Sequence, residues 1–223
     1  MMKTTNAFDF FCSWSGGKDS CLSLYRMLRE GHSCKTLLTV IEETGVHSRS
    51  HRLTKEALTM QAKSIGYPIE FPNTPWEGYE STFKQSLRQF KSHGIEHGAF
   101  GDIDLDPHKE WVERVCQSED VIPHEPLWLG NRRELVSEFI NEGFKARIIV
   151  VNTKRMPEEF LGRTIDDELA CQLESIGVDA CGENGEYHSF VFNGPLFSRP
   201  IKMDDCNIER DNEYAFLPLR VSQ

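Results

Sequence analysis

The residues best equipped for chemistry form one run, Ser15-Gly16-Gly17-Lys18-Asp19-Ser20. Pyrophosphate is a dense anion, and a site for it needs backbone N–H groups converging at a helix start, with glycines letting the main chain come close. This run supplies both. It is not a Walker A loop, because Asp19 follows Lys18 where that motif needs Ser or Thr, and Cys12 stands in place of its first glycine. A glycine-rich turn capping a helix through Asp19 or Ser20 is the plain alternative.

A second dense run is Cys181-Gly182-Glu183-Asn184-Gly185-Glu186-Tyr187-His188, with two carboxylates, a phenol and an imidazole between glycines. If a strand follows at Ser189, the two-residue period puts Glu186 and His188 on one side of its approach and Tyr187 on the other. A polar turn before a strand is the bland reading. Asp102 is read as a metal or ribose contact or as a loop cap, and His51 as a ligand-edge residue or an ordinary loop histidine. Asp104, Asp106 and His108 either extend an acidic site or belong to a solvated loop.

The elements that must position these groups follow from apolar periodicity. Phe8 to Trp14 is an apolar run of strand length leading into the glycine loop, and a helical pattern with Leu22, Tyr25 and Leu28 follows. Strands are expected at 36–41, 69–71, 99–103 and 146–151, and helices at 53–65, 78–92, 107–116 and 133–142. The alternation predicts an α/β fold with a doubly wound, mostly parallel sheet covered on both faces. After Val151 the rhythm changes to an acidic helix at 166–176, a turn-rich stretch, a strand at 189–192 and later short strands. We therefore expect a nucleotide domain at 1–125 and a smaller α+β substrate-binding domain at 126–223.

Charge narrows the partners. The chain carries 25 Lys and Arg against 35 Asp and Glu, a net −10, and Met156 to His188 holds nine acidic residues and one basic one, Arg163. Such a surface repels phosphate backbones, so no nucleic-acid partner is expected and a cationic one suits better. No run approaches the roughly 18 apolar residues that span a bilayer, and the opening segment to Phe11 does not read as a signal peptide. A cytoplasmic location follows. Seven cysteines, an odd number with no Cys-x-x-Cys pair, are read as reduced thiols. A homodimer is left open.

Ser15 to Ser20 matches the PP-loop of the N-type ATP pyrophosphatases, which follows the first strand of an adenine nucleotide alpha hydrolase-like sheet. The resemblance implies ATP and Mg2+: the loop holds the β- and γ-phosphates while a substrate oxygen attacks the α-phosphorus. Lys18 would then neutralise the leaving charge, Ser15 and Ser20 would bond phosphate oxygens, and Asp19 would position Mg2+. His51 and Asp102 join it as nucleotide-site candidates.

Through this loop together with Gly182 to His188, Arg114-Val115-Cys116, Pro126-Leu127-Trp128 and Leu161-Gly162-Arg163, the sequence resembles the diphthine-ammonia ligases over almost the whole chain. That family implies an amide ligase that adenylates a carboxylate, diphthine on elongation factor 2, and lets ammonia displace AMP. Because diphthine carries a trimethylammonium group, Trp128, Glu183, Glu186 and Tyr187 are expected to line its pocket. Glu186 or His188 would be the base for ammonia. Gly101 to Asp106 departs from the family pattern at the ligand edge and leaves the carboxylate open. The end at Gln223, without the added domains of longer relatives, resembles a short archaeal or bacterial form. A tRNA-modifying PP-loop enzyme and a non-catalytic nucleotide-binding protein are the alternatives.

Overall fold

The computed structural model describes residues 7–49 and 51–222. The opening segment read above lies outside it up to residue 6, as do Ser50, beside His51, and Gln223.

The first strand, β1 (Asp9–Ser13), buries Phe10, Phe11 and Cys12 completely. A strand covered on both faces is uniformly apolar in this way, as the centre of a parallel sheet requires. It pairs in parallel with β2 (Ser33–Leu38) and with β4 (His97–Ala99), and β3 (Ile69–Glu70) and β5 (Ile122–His124) complete the order β3-β2-β1-β4-β5. Helices α1 (Lys18–Arg29) and α2 (Lys55–Ile65) cover the face holding Phe10, Leu22 and Leu58. Helices α3 (Tyr79–Ser92) and α4 (Asp106–Gln117) cover the other, around Phe11, Phe83, Phe90 and Val115. The strand order reverses between β1 and β4, so the carboxyl ends of these two strands flank the crevice where doubly wound sheets bind ligands.

Local signals set the boundaries of α2. Thr54 Oγ1 accepts the Ala57 N–H at 3.2 Å to start it, and Gly66, at φ +83°, ends it in the left-handed region that a side chain disfavours.

The remaining elements are α5 (Arg132–Asn141), β6 (Lys145–Asn152), α6 (Asp167–Ser175), β7 (Tyr187–Asn193), β8 (Lys202–Asp205), β9 (Glu209–Asp211), β10 (Tyr214–Phe216) and β11 (Leu219–Ser222). They form an antiparallel sheet ordered β7-β6-β10-β9 and a two-stranded pair, β11-β8. The alternation placed 146–151 in the parallel series; instead β6 is an inner strand of the second sheet, antiparallel to β7 and β10. A buried β-branched run reads the same in either setting, and only its partners decide. The strand expected at 99–103 ends at Ala99, so Asp102 stands three residues beyond it, still on the ligand edge.

One apolar cluster runs from Phe10 through Phe144 and Val150 to Phe190, joining the two sheets. Polar bonds lock the junction. Gln61, fully buried, donates from Nε2 to the carbonyls of Gly16 at 2.9 Å and Val191 at 2.6 Å, and its Oε1 accepts Trp14 Nε1–H at 3.1 Å. The Val191 N–H also donates to the Gly16 carbonyl at 3.0 Å. The glycine loop is thus held from behind by the second sheet.

Candidate active site

The glycine loop forms the floor of the crevice. Gly16 takes φ +80°, and Gly17 caps α1 with no side-chain bond, so the helix start is open to an anion. The Ser15 and Ser20 hydroxyls lie 3.1 Å apart, and the Gly17 N–H donates to Ser15 Oγ at 3.2 Å. Lys18 is buried, and its Nζ donates to both Asp19 oxygens at 2.9 and 2.8 Å. Burial alone would lower its pKa, but the Asp19 carboxylate overrides that and holds it well above the ordinary lysine value.

Two glycines permit the packing around this floor. A Cβ on Gly17 would sit 2.7 Å from His51 Nε2, and one on Gly101 would sit 2.9 Å from the Asp19 carbonyl carbon and the Ser20 nitrogen. The segment after β4 therefore rests on the start of α1, which brings Asp102 to the crevice.

The Gly182–His188 segment forms the facing wall. Tyr187 donates its hydroxyl to the Ala180 carbonyl at 2.6 Å, and its ring lies where a Gly182 side chain would be. Asp179 accepts the N–H groups of Cys181 at 2.9 Å and Glu183 at 3.2 Å. Arg132, at the start of α5, ties this wall to the loop after β4. It donates to both Asp104 oxygens at 2.7 Å, to Asp179 at 2.7 Å and to Asn184 Oδ1 at 3.0 Å.

The cleft between floor and wall measures about 670 Å³. It gathers Ser15, Lys18, Asp19, Ser20, His51, Asp102, Glu183, Tyr187 and His188, with Gly16 and Gly17 shaping the loop behind. Two expected residues are not among those lining it. Glu186 is buried behind the wall, its Oε1 accepting Asn184 Nδ2–H at 3.0 Å and its Oε2 without a partner among the described residues. Trp128 carries Lys109 Nζ 4.4 Å over its ring. The two-residue period also fails at the wall, where Tyr187 and His188 both line the cleft. The strand starts only at Tyr187, after a left-handed turn at Gly185, and β6 is bulged opposite His188 and Ser189.

Three contributors had no sequence signature. Ser189 Oγ accepts the Lys18 N–H at 3.2 Å, Arg132 acts from outside the cleft, and Arg155 lines it. His108, read above as part of an acidic site or of a solvated loop, lines the cleft and contacts Asp102 at 3.2 Å, which raises its pKa. Asp104 is committed to Arg132, and Asp106 begins α4.

Burial and proximity set the charge states. The His51 and His188 rings lie against each other, centroids 4.4 Å apart and tilted by 36°. Burial first, then the Lys18 charge, pushes His188 down to about 4, and burial with His188 and Lys18 lowers His51 well below its ordinary value. Both imidazoles are neutral at pH 7. Glu183 is pushed up to about 7, by burial first and then by the Asp19 charge.

The depressed His188 pKa makes a stability prediction. Its contribution is fully present above pH 6.5 and is lost as pH falls toward 4, because the unfolded chain takes up a proton that the folded site resists. Urea unfolding should show the stability gap between wild type and His188→Gln shrinking by about 2 kcal/mol between those pH values, since part of the ring meets water. A constant gap would refute the neutral buried imidazole.

Residues 10–122 match the diphthamide synthase N-terminal domain and residues 131–222 match the diphthamide synthase C-terminal domain. The chain belongs to the diphthamide synthase family. Among its relatives are proteins named diphthine–ammonia ligase from Rattus norvegicus and Danio rerio. The first is 28% identical over 92% of this chain and 86% of the relative, and the second 28% identical over 92% and 90%. As a diphthamide synthase family member the chain is a ligase that forms a C–N bond. A solved structure described as a predicted subunit of tRNA methyltransferase from Methanocaldococcus jannaschii covers 82% of this chain and 96% of its own, at TM-score 0.46 and 16% identity. Among the described residues, no helix is long and apolar enough to cross a membrane, and all seven cysteines are free thiols.

Proposed function

We propose that the chain is an ATP-dependent amide ligase: it transfers AMP from ATP to a substrate carboxylate, releases pyrophosphate, and lets ammonia displace AMP. The carrying observation is that Ser15–Ser20 and the Gly182–His188 wall, about 160 residues apart, line one cleft at the topological switch point. The ligase family of the relatives supports ATP use and amidation. The relatives' name supplies diphthine, which the resemblance places on elongation factor 2, as one acyl substrate; a related carboxylate is the other.

Each part of the ligand has a matching surface. The β- and γ-phosphates would meet the α1 start, Ser15 and Ser20. Adenosine would extend from Ser13 and Ser15 into an adjoining pocket of about 140 Å³ walled by Val40, Tyr79 and Phe83. The leaving pyrophosphate gains Lys18, which exchanges Asp19 for phosphate oxygens as charge develops on them.

Magnesium suits these residues. Among the described residues no group of three or more His, Cys, Asp or Glu is assembled to hold a metal, and Mg2+ commonly takes one or two carboxylates and completes its shell with phosphates and water. Asp19 and Asp102, on the two lips of the crevice, are the carboxylates that would hold it. When bound it offsets phosphate charge.

For ammonia, Glu186 lies behind the wall and His188 is a weak base. Glu183, in the cleft and titrating near neutrality, is better matched to accept the proton. We also propose 1–125 as the nucleotide part, 126–223 as the acyl-substrate part and the cytoplasm as the location.

The test is product identity. Incubation with ATP, Mg2+, ammonia and candidate carboxylates should yield amide, AMP and pyrophosphate in equal amounts. ADP and phosphate, or nucleotide binding without turnover on any carboxylate, would overturn the reading.

A further inference from the structure

The Pro126-Leu127-Trp128 motif lies outside the floor and wall of the cleft, yet its backbone is fixed from several sides. Leu127 is fully buried, and Arg26 Nη1 donates to the Pro126 carbonyl at 2.6 Å. The Trp128 N–H donates to the Glu125 carbonyl at 3.0 Å, and the Leu129 N–H donates to the Ile103 carbonyl at 2.7 Å. The indole is therefore carried on a rigid turn. Glu125 directly follows β5, on the carboxyl edge of the sheet and beside the segment after β4 that carries Asp102. Its side chain is 8% exposed, and its Oε1 has no partner among the described residues. A buried carboxylate in that state calls for a cation.

Lys109 supplies one. Its Nζ lies 4.4 Å over the Trp128 ring and 3.8 Å from Glu125 Oε2. That separation is too long for a hydrogen bond, so the ammonium is held by charge and by the face of the ring, and neither attraction requires an N–H. Burial pushes the Glu125 carboxyl up, and the Lys109 ammonium pulls it back. Lys109 also has a second place to rest. Glu113, one helical turn further along α4, is exposed and stands 3.8 Å from the same Nζ.

We propose that Trp128 and Glu125 form a cage for an organic ammonium group, quaternary ammonium being the class it fits, and that Lys109 is its internal stand-in. When the acyl substrate brings its own cation, Lys109 moves to Glu113 and the cage keeps its charge balance. Lys109 follows His108, which lines the cleft, so the cage adjoins the cleft on the α4 side. It takes the place of the pocket expected around Tyr187 and Glu186, since Tyr187 is buried beneath Lys18 and Glu186 faces Asn184 behind the wall. Assignment of the bound cation to the acyl substrate rests on the amide-ligase reading; the cage itself does not.

Tetramethylammonium chloride is the probe, followed through the Trp128 indole N–H signal in proton–nitrogen NMR spectra, which Trp128→Phe identifies by its loss. Potassium chloride at equal ionic strength and tert-butanol are the controls. Wild type should show a saturable shift with tetramethylammonium alone. Lys109→Gln should bind it about tenfold more tightly, because the competing ammonium is gone. Glu125→Gln, an isostere chosen to keep the fold, should lose saturable binding and decides the matter independently of the lysine variant. The cage is overturned if either control reproduces the wild-type shift, if Lys109→Gln binds no more tightly, or if Glu125→Gln binds as wild type does. During turnover tetramethylammonium should raise KM for a betaine carboxylate and leave KM for ATP unchanged; competition with ATP instead would overturn the assignment to the acyl substrate. Failure of the ligase reading looks different: tetramethylammonium still shifts Trp128 while no carboxylate supports pyrophosphate release.

Discussion

Lys18→Ala is expected to lower kcat/KM for pyrophosphate release by about a thousandfold, the scale of losing a preorganised charge at the developing anion. Lys18 is buried against the loop, its Nζ is fixed by Asp19, and it is the one lysine lining the cleft among the described residues. Water cannot replace it at 7% side-chain exposure. Folding should survive, because Asp19 retains 29% exposure and can be hydrated once its partner is gone. Assayed beside it, Asp19→Ala should lose comparable rate, and its defect should ease with excess Mg2+. If the Lys18 variant kept a tenth of wild-type activity, the assignment of the leaving-group charge would be wrong.

Arg132→Ala should lower stability by about 2 kcal/mol and pyrophosphate release about a hundredfold, with ATP affinity nearly unchanged. The guanidinium ties the loop after β4, through Asp104, to the second motif, through Asp179 and Asn184. Its removal leaves two half-buried carboxylates facing each other and frees the wall that carries Glu183. The glycine loop should keep its shape, since Gln61 and Ser189 anchor it independently. Lys at this position cannot span both carboxylates and should not rescue the rate. A parallel loss of ATP binding, measured by calorimetry, would refute the separation of anchors.

The strand, loop and helix at Phe8 to Leu28 were legible because an apolar run, paired glycines and a helical period stand next to one another. Other elements were not. Strand β5 is three residues long with Pro123 at its centre, which a sequence pattern reads as a break and an edge strand tolerates, since its outer side needs no donor. The chemistry of the second motif was visible as a cluster, but its geometry was not, because the turn at Gly185 and the bulge in β6 decide which side chains face the cleft. Trp128 looked like a cation platform, and nothing local indicates that Lys109, one helix away, already covers it. Arg132 and Arg155 are isolated arginines whose meaning lies wholly in tertiary placement.

The bracing of Gly16 by Val191 and of Lys18 by Ser189 has a consequence for biosynthesis. Both bonds span more than 170 residues of chain, so loop closure delays them until β7 has been made. A nascent chain that has completed β1 to β5 possesses every residue of the glycine loop but not its back wall. The glycine loop therefore reaches its braced geometry only once β7 has been synthesised, so under the proposed reading a ribosome-bound fragment ending before β7 should not turn over nucleotide.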